Sequence, residues 1–589
     1  MDGAGRGQGR DSPRTRRSRS GPRPHRNEVV RTMSGPTVSE GPRRPGLRRD
    51  IGTIGLTWVS VGSIIGSGWL FGALFAAQAA GTASLISWAF GALAITVLAF
   101  VHAELGAMYP VAGGTARFPH YAFGSVAGAS FGWFSWLQAV ATAPIEVMAS
   151  LNYLSVHAPW IQTDRNHLTA AGYGLAVAFM AFFVVVNFLG VRWLAHTNSL
   201  ATWWKIAVPV VTVVVLTATV FHTDNFGHQG FAPFGAQGVL SAVSTGGVIF
   251  ALLGFEQADQ LAGESRDPAR DIPRAVIGSI LLGTLVYLAL QVAFIAALPP
   301  GAFAHGWADL AFADKAGPFA GLALSAGLGW LAALIYIDAV VSPTGTGLIY
   351  TTAASRVSYG LSRNGYVPAV FERTTVRGVP WFGLLFAFTV GLILFLPFPT
   401  WQKLVGFVTS ASVLMYAGAP LALGCLREQD PDRYRPYLLR GAAFWAPAAF
   451  IVSNLIIYWA GWDTLWRLGL AIVLGYLLLG ASALLRLNPA VPRPDWRSAQ
   501  WLPAYLLGLG LISWQGRYCS TGSTPAVSCG ATGALPLWWD MAVVAAFSLL
   551  IYYWARSVRL PDEKALAYIG SAGPPAAGAA AGPDPGARP

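Results

Sequence analysis

Two glycine-rich interruptions of apolar sequence carry the first chemistry. The run Gly62-Ser63-Ile64-Ile65-Gly66-Ser67-Gly68-Trp69-Leu70-Phe71 places three glycines within seven residues of an apolar stretch. Each glycine weakens a helix by about 1 kcal/mol, and an unwound segment at mid-membrane must line a polar cavity, because lipid cannot satisfy its freed amides. The N–H groups at the start of the half-helix that follows attract an anion such as a carboxylate. The other reading is that these glycines only let helices pack closely. A second interruption, Ser244-Thr245-Gly246-Gly247 and then Phe250-Ala251-Leu252-Leu253-Gly254-Phe255-Glu256, falls five apolar spans later. Broken spans at matching positions of two consecutive five-helix units point to inverted repeats with a binding site at the membrane midplane.

Ionisable groups inside apolar sequence come next, because each costs several kcal/mol if left unpaired. Lys205, after Thr202-Trp203-Trp204, is the one basic residue well inside a span; it either works in the site, or snorkels, or pairs permanently with an acid. Glu256, at the far edge of the sixth-span break, is a candidate proton carrier or a cap on the second half of that helix. Glu146 follows Pro144, whose missing N–H frees a carbonyl one turn back and marks a third-span substrate contact. Asp338 lies one turn before Ser342-Pro343-Thr344-Gly345-Thr346-Gly347; it either senses the substrate side chain, faces Lys205, or belongs to helix packing with hydrogen-bonded hydroxyls. Glu104, near a cytoplasmic helix end, reads as structural. His102, His196 and the other histidines have no ligand spacing and read as interfacial or hydrogen-bonded imidazoles. Cys425, Cys519 and Cys529 form no CxxC pair, so no metal site and no cofactor is expected. No hydrolase elbow, phosphate loop or paired catalytic carboxylates appear, so no enzymatic activity is expected.

The elements that hold these residues are apolar throughout. Of 589 residues, 54% are hydrophobic and 11% charged, against about 25% charged in soluble domains, which argues against a soluble enzyme. The formal charge of +12 flanks apolar spans and forms no single basic face, so a nucleic-acid partner is not expected. Apolar spans fall at about 54–78, 81–108, 124–156, 168–189, 196–220, 238–262, 274–298, 320–350, 379–397, 402–426, 441–460, 465–486, 500–516 and 537–556. Each is near or above the ~20 residues a membrane helix needs, giving about 14 transmembrane helices in an all-α polytopic membrane protein. Residues 1–50 hold thirteen Arg among Gly, Pro and Ser and read as a disordered cytoplasmic tail; no secretory signal peptide is recognised, and Met33 is an alternative start. Residues 561–589, rich in Ala, Gly and Pro, read as a second disordered cytoplasmic tail. With the N-terminus inside, the cytoplasmic segments hold 33 of the 39 Lys and Arg, which puts both ends inside. Cys519 and Cys529 then face outward, either paired or as free thiols.

Several motifs in order resemble the amino acid–polyamine–organocation permeases. Gly62 to Gly68 is similar to that family's first-helix motif, and Ala103-Glu104-Leu105-Gly106-Ala107-Met108-Tyr109-Pro110 with Gly113-Gly114 resembles the end of its second helix. Gly254-Phe255-Glu256 and Gly263-Glu264-Ser265-Arg266-Asp267-Pro268-Ala269-Arg270-Asp271-Ile272-Pro273-Arg274 resemble its sixth helix and following loop. The resemblance covers about residues 50 to 430. It implies a five-plus-five inverted-repeat (LeuT-like) core and proton-coupled or exchange transport of amino acids. Ser60 to Phe71 and Pro144-Ile145-Glu146 look closest to bacterial aspartate–proton symporter-like members. Carried over, the family pattern puts the substrate carboxylate on the N–H groups of Ser67 and Gly68 and the ammonium on carbonyls of Ile64, Phe250 and Leu253. Phe250 would be the aromatic gate, or else a packing residue. Lys205 resembles a fifth-helix lysine that stands, in some proton-coupled relatives, where sodium-coupled transporters bind sodium.

The expectation is therefore a secondary active transporter in the cell membrane that imports amino acids by proton symport, with Lys205, Glu256 and Asp338 as proton-coupling candidates and Glu146 as a substrate contact. Residues 51–430 form the ten-helix core, and 431–560 add four helices for stability or contact within a homodimer. An amino acid or polyamine exchanger is the alternative in the same class, and a non-transporting amino acid sensor the alternative in another. Aspartate as substrate wants a basic partner, and the spans offer only Lys205 or backbone N–H groups for it.

Overall fold

A computed structural model describes residues 50–111, 113–163, 167–189, 191–310, 317–398, 400–518 and 530–571, with side chains omitted for 191–200. The expectations for most of the N-terminal tail, His196, Cys519, Cys529 and the end of the C-terminal tail lie outside these residues or side chains. The described chain is helical, with isolated bridges but no strand. Helix covers each of the fourteen apolar stretches. Eight helical stretches are long and apolar enough by themselves to cross a membrane, including Ala170–Leu189, Pro268–Ala297, Ala442–Trp459 and Trp462–Leu484.

Several spans depart from a single straight helix for reasons visible in their residues. The first span is two helices, Thr53–Ile64 and Gly68–Ala80, separated at Ile65-Gly66-Ser67. The sixth is three short helices, Gly235–Ser244, Val248–Leu252 and Glu256–Gln260. Its breaks fall at Gly247 (φ +89°) and Gly254 (φ +125°), backbone that other residues rarely adopt. The two broken spans cross at their breaks: a Cβ on Gly254 would lie 2.8 Å from the Ile64 nitrogen. The third span, Ser125–Leu154, is a continuous helix that passes through Pro144. The eighth starts later than its apolar run suggests: Pro318–Ser325 is a separate short helix, and the long helix is Gly329–Arg363, after a turn at Gly327 (φ +74°).

The segment before the first span is laced to the loop after the sixth. Ile51 donates its N–H to Glu264 O (3.1 Å) and accepts from Arg266 N (2.9 Å), while Thr53 hydrogen-bonds Asp271. Ser60 Oγ adds a bond to Phe255 O (3.3 Å). Between the second and third spans a short helix, Gly114–Phe123, lies against the third.

One boundary needs correction. Residues 562–571, read as part of a disordered tail, form the helix Asp562–Ser571. Ten residues with two Gly or Ser at the end carry no helix signal of their own; docking supplies the stability, through buried Ala565, Lys564 to Asp495, and Tyr568 Oη to Asp495 (2.9 Å). The helices after residue 430 also pack on the core, through Ser244 Oγ to Ile456 O (3.1 Å), Trp133 Nε1 to Ala471 O (3.2 Å) and Tyr476 Oη to Ser130 (2.9 Å).

Candidate functional site

Where the two broken spans cross, a central cavity is lined by Ile64, Gly66, Gly68, Glu146, Phe250 and Leu253, with Gln138, Thr142, Thr346 and Tyr350 adding polar groups. It measures about 10 Å3, room for about one water, so an amino acid enters only if the walls move. A larger groove of about 870 Å3 lies among Ala129, Leu468, Leu506 and their neighbours. Its walls are almost wholly apolar and offer an amino acid no set of polar partners, which leaves the central cavity as the candidate.

The unwound turn Ile65-Gly66-Ser67 presents its amides to a carboxylate, and that carboxylate belongs to the protein. Glu146 accepts from Ser67 N–H (2.8 Å) and from Ser67 Oγ (3.1 Å). Expected as a substrate contact, Glu146 lines the cavity and accepts from one of the two amides that the family resemblance assigns to the substrate's own carboxylate. Gly66 makes the approach possible: a Cβ there would fall 2.8 Å from Thr346 Oγ1 and 2.9 Å from Glu146 Oε1.

Lys205 reaches the end of the first half-helix. Its ammonium donates to Gly62 O (2.6 Å) and Thr346 Oγ1 (2.7 Å), and it is 1% exposed. The lysine therefore does not snorkel, and among the described residues no carboxylate lies within 4.0 Å of its ammonium; two uncharged oxygens bind it. The Thr346 hydroxyl also lies 3.3 Å from Gly62 O.

Two of the three carbonyls expected to take an ammonium already have partners. Ile64 O accepts from Tyr287 Oη (2.9 Å), and Phe250 O accepts from Leu253 N (3.2 Å). Above the cavity, Phe250 meets Trp401 edge-on with ring centres 5.6 Å apart, and Trp401 also packs on Phe71 (5.1 Å) and Phe75 (5.4 Å). Trp401 Nε1 donates to Ser67 Oγ (3.0 Å).

Glu256 stands beside the cavity in a shell of hydroxyls and amides. Tyr416 Oη (2.5 Å) and Gly254 N (2.9 Å) reach Oε2; Tyr350 Oη (3.1 Å) and Gln138 Nε2 (3.3 Å) reach Oε1. The bond to Gly254 N ties the carboxylate to the break before its own helix, and Tyr350 and Gln138 connect it to the cavity. Asp338 goes elsewhere: Trp69 Nε1 (2.8 Å) and Ser342 Oγ (2.7 Å) satisfy it, and it neither lines the cavity nor hydrogen-bonds Lys205. Glu104 is structural, held by Arg427 through Nε (2.9 Å) and Nη2 (2.6 Å) and by Leu439 N (2.8 Å). Trp401, Tyr287, Gln138 and Tyr350 were not singled out from sequence; a lone polar or aromatic residue in an apolar span has no periodic signal. Among the described residues no cluster of His, Cys, Asp and Glu is arranged for a metal ion.

A family model described as amino acid permease matches residues 51–479. The glutamate/serine transporter AimA of Bacillus subtilis (strain 168) is 37% identical over 520 residues, covering 86% of this chain and 94% of that protein. The aspartate-proton symporter of the same organism is 34% identical over 511 residues, covering 86% and 96%. The branched-chain amino acid permease BcaP, also from that strain, is 27% identical over 452 residues, covering 73% and 92%.

Proposed function

The chain belongs to the amino acid permease family, a multi-pass membrane transporter of amino acids, and from that premise we propose that it imports a small polar or acidic amino acid with a proton across the cell membrane. Both termini face the cytoplasm in this reading, residues 51–430 carry the transport cycle, and 431–560 brace it.

The observation that carries the proposal is the Glu146 carboxylate on the Ser67 N–H and hydroxyl. Amides at a half-helix start stabilise a carboxylate of any origin. An incoming amino acid competes for them, and Glu146, displaced within a nearly closed cavity, takes a proton or turns to the Lys205 ammonium. Lys205 holds the place of a coupling cation on Gly62 O and Thr346 Oγ1, so a change in its charge is felt directly by the first half-helix. The substrate ammonium sits against the carbonyls of Ile64, Phe250 and Leu253, with the Tyr287 hydroxyl turning away from Ile64 O. Phe250 and Trp401 close the outer side, and Glu256 is the second proton carrier. The relatives that take glutamate, serine or aspartate define the first compounds to test.

The experiment is uptake of labelled glutamate, aspartate and serine into proteoliposomes, with and without an inward proton gradient, in sodium-free buffer. Accumulation only with the gradient supports symport. Uptake only into vesicles preloaded with amino acid makes the protein an exchanger, and saturable binding without uptake makes it a sensor.

A further inference from the structure

One buried, hydrogen-bonded His–Asp pair has no part in the cycle above. His102 in the second span and Asp259 in the last short helix of the sixth are both 0% exposed, with Nδ1 and Oδ2 3.0 Å apart. His102 Nε2 and Asp259 Oδ1 are buried and have no hydrogen-bond partner among the described residues. The site is shaped for the carboxylate: a Cβ on Gly106 would fall 2.2 Å from Asp259 Oδ1. Burying an imidazole, a carboxylate and two unsatisfied polar atoms is expensive and weak evidence for stability, which directs attention to what the pair can hold.

The pair lies next to the Glu256 shell, on the side away from the cavity. The imidazole meets the Tyr416 ring edge-on (5.5 Å between centres) and the Phe255 ring likewise (5.3 Å). Tyr416 is the residue whose hydroxyl binds Glu256. Chain connectivity then runs toward the cytoplasm: Gln260, next to Asp259, accepts the Gly113 N–H (3.1 Å) at the start of the cytoplasmic helix Gly114–Phe123. The titratable groups around the imidazole are Asp259 and Glu256 from the sixth span and Tyr416 from the tenth; Phe118 comes from the cytoplasmic helix. Glu104, two residues along the second span, is committed to Arg427.

We infer that His102 and Asp259 form a proton-holding pair in series with Glu256, the last station before the proton enters the cytoplasm. The Glu256 carboxyl gives up its proton, becoming carboxylate, and His102 Nε2 receives it, with the Tyr416 hydroxyl turning between them. His102 keeps its Nδ1 proton on Asp259, whose negative charge balances the imidazolium. When the sixth-span segment swings open, Nε2 releases the proton to water and the neutral imidazole returns. The inference rests on the symport reading, and His102 acts on transport through Glu256 without touching substrate.

The test uses the full chain in proteoliposomes, as His102→Gln, Asp259→Asn and the double variant, whose two amides can still hydrogen-bond and preserve the fold. Two activities are read: exchange of labelled for unlabelled substrate at equal pH, and accumulation driven by a proton gradient across a series of internal pH values. The expected result is exchange within about 3-fold of wild type, accumulation reduced at least 10-fold, and a flat response to internal pH. Variants that accumulate substrate with the wild-type pH profile overturn the inference, as does equal loss of exchange and accumulation in a double variant of unchanged melting temperature, which makes the pair a positioning element of the whole cycle and not a proton station. A wild-type protein that exchanges but ignores the gradient overturns the symport reading, and this inference with it.

Discussion

Replacing Glu146 by Gln separates competition for the Ser67 amide from a contribution to substrate binding. In the closed structure the carboxylate accepts bonds of 2.8 and 3.1 Å from Ser67, and substrate must displace both. A hydrogen bond to a charged group contributes about 1.5–3 kcal/mol and a neutral one about 0.5–1.5, so neutralising the acceptor weakens each bond by about 1 kcal/mol. Two bonds give about 2 kcal/mol, or roughly 30-fold tighter binding of the amino acid to Glu146→Gln. Calorimetric titration of purified protein with glutamate or serine measures this directly. If the displaced carboxylate takes up a proton, wild-type affinity improves by up to about tenfold per unit fall in pH, and the Gln variant loses that slope. Transport shows the opposite sign, because a site that no longer needs a proton to bind no longer couples to the gradient. Equal or weaker binding by Glu146→Gln, with the pH slope retained, refutes the displacement argument.

Other perturbations follow from the same geometry. Gly66→Ala puts a methyl group within 2.9 Å of both Thr346 Oγ1 and Glu146 Oε1, so substrate binding by calorimetry falls at least 100-fold while the protein still reaches the membrane. Lys205→Met removes the donors to Gly62 O and Thr346 Oγ1; gradient-driven uptake in proteoliposomes is lost. Arg427→Ala leaves Glu104, itself 0% exposed, without its main counter-charge; the cost of about 3 kcal/mol or more appears as a drop in melting temperature, and Glu104→Gln in the same chain recovers part of it. Acid loosens the C-terminal helix, whose Tyr568 ring packs on His120 (4.5 Å between centres): burial, and then the Arg117 charge, push the His120 imidazole down to about 4. Because that value lies below the ordinary one of about 6.5, the stability is complete above pH 6.5 and is lost as pH falls toward 4, by up to about 1.4 kcal/mol per unit. Proteolysis of the 562–571 segment is therefore faster at pH 5 than at pH 7.5, and His120→Asn removes most of the difference.

The two breaks were legible because glycines that dense weaken a helix wherever they fall, and in an apolar run the weakened turn needs polar surroundings. Lys205 was legible because a lone cation in such sequence needs a partner. Which oxygens receive that cation was not legible; Gly62 and Thr346 lie 143 and 141 residues away in sequence. Glu146 was legible as a buried carboxylate after Pro144, but its bonds to Ser67 were not, since they depend on how the third span crosses the first. Asp338 drew attention for the same reason as Lys205, yet one turn of its own helix and Trp69 suffice to satisfy it. His102 fitted the reading of a hydrogen-bonded imidazole, but nothing marked Asp259 as its partner. Trp401 and the helix Asp562–Ser571 escaped notice because a single aromatic and a short helix acquire meaning only from what they dock against.

The backbone pairing of Ile51 with Glu264 and Arg266 has a kinetic consequence. The first half of the first broken span and the last part of the sixth are fastened at their ends, so neither leaves its place without straining the other. Their motion is that of one lever with a single hinge. An intermediate with one half open and the other shut, the state through which ions would slip without substrate, must first break both main-chain bonds. The lacing thus sets the tightness of the transporter as well as its shape, and substitutions that shorten or charge the 264–266 turn are the ones expected to make it leak.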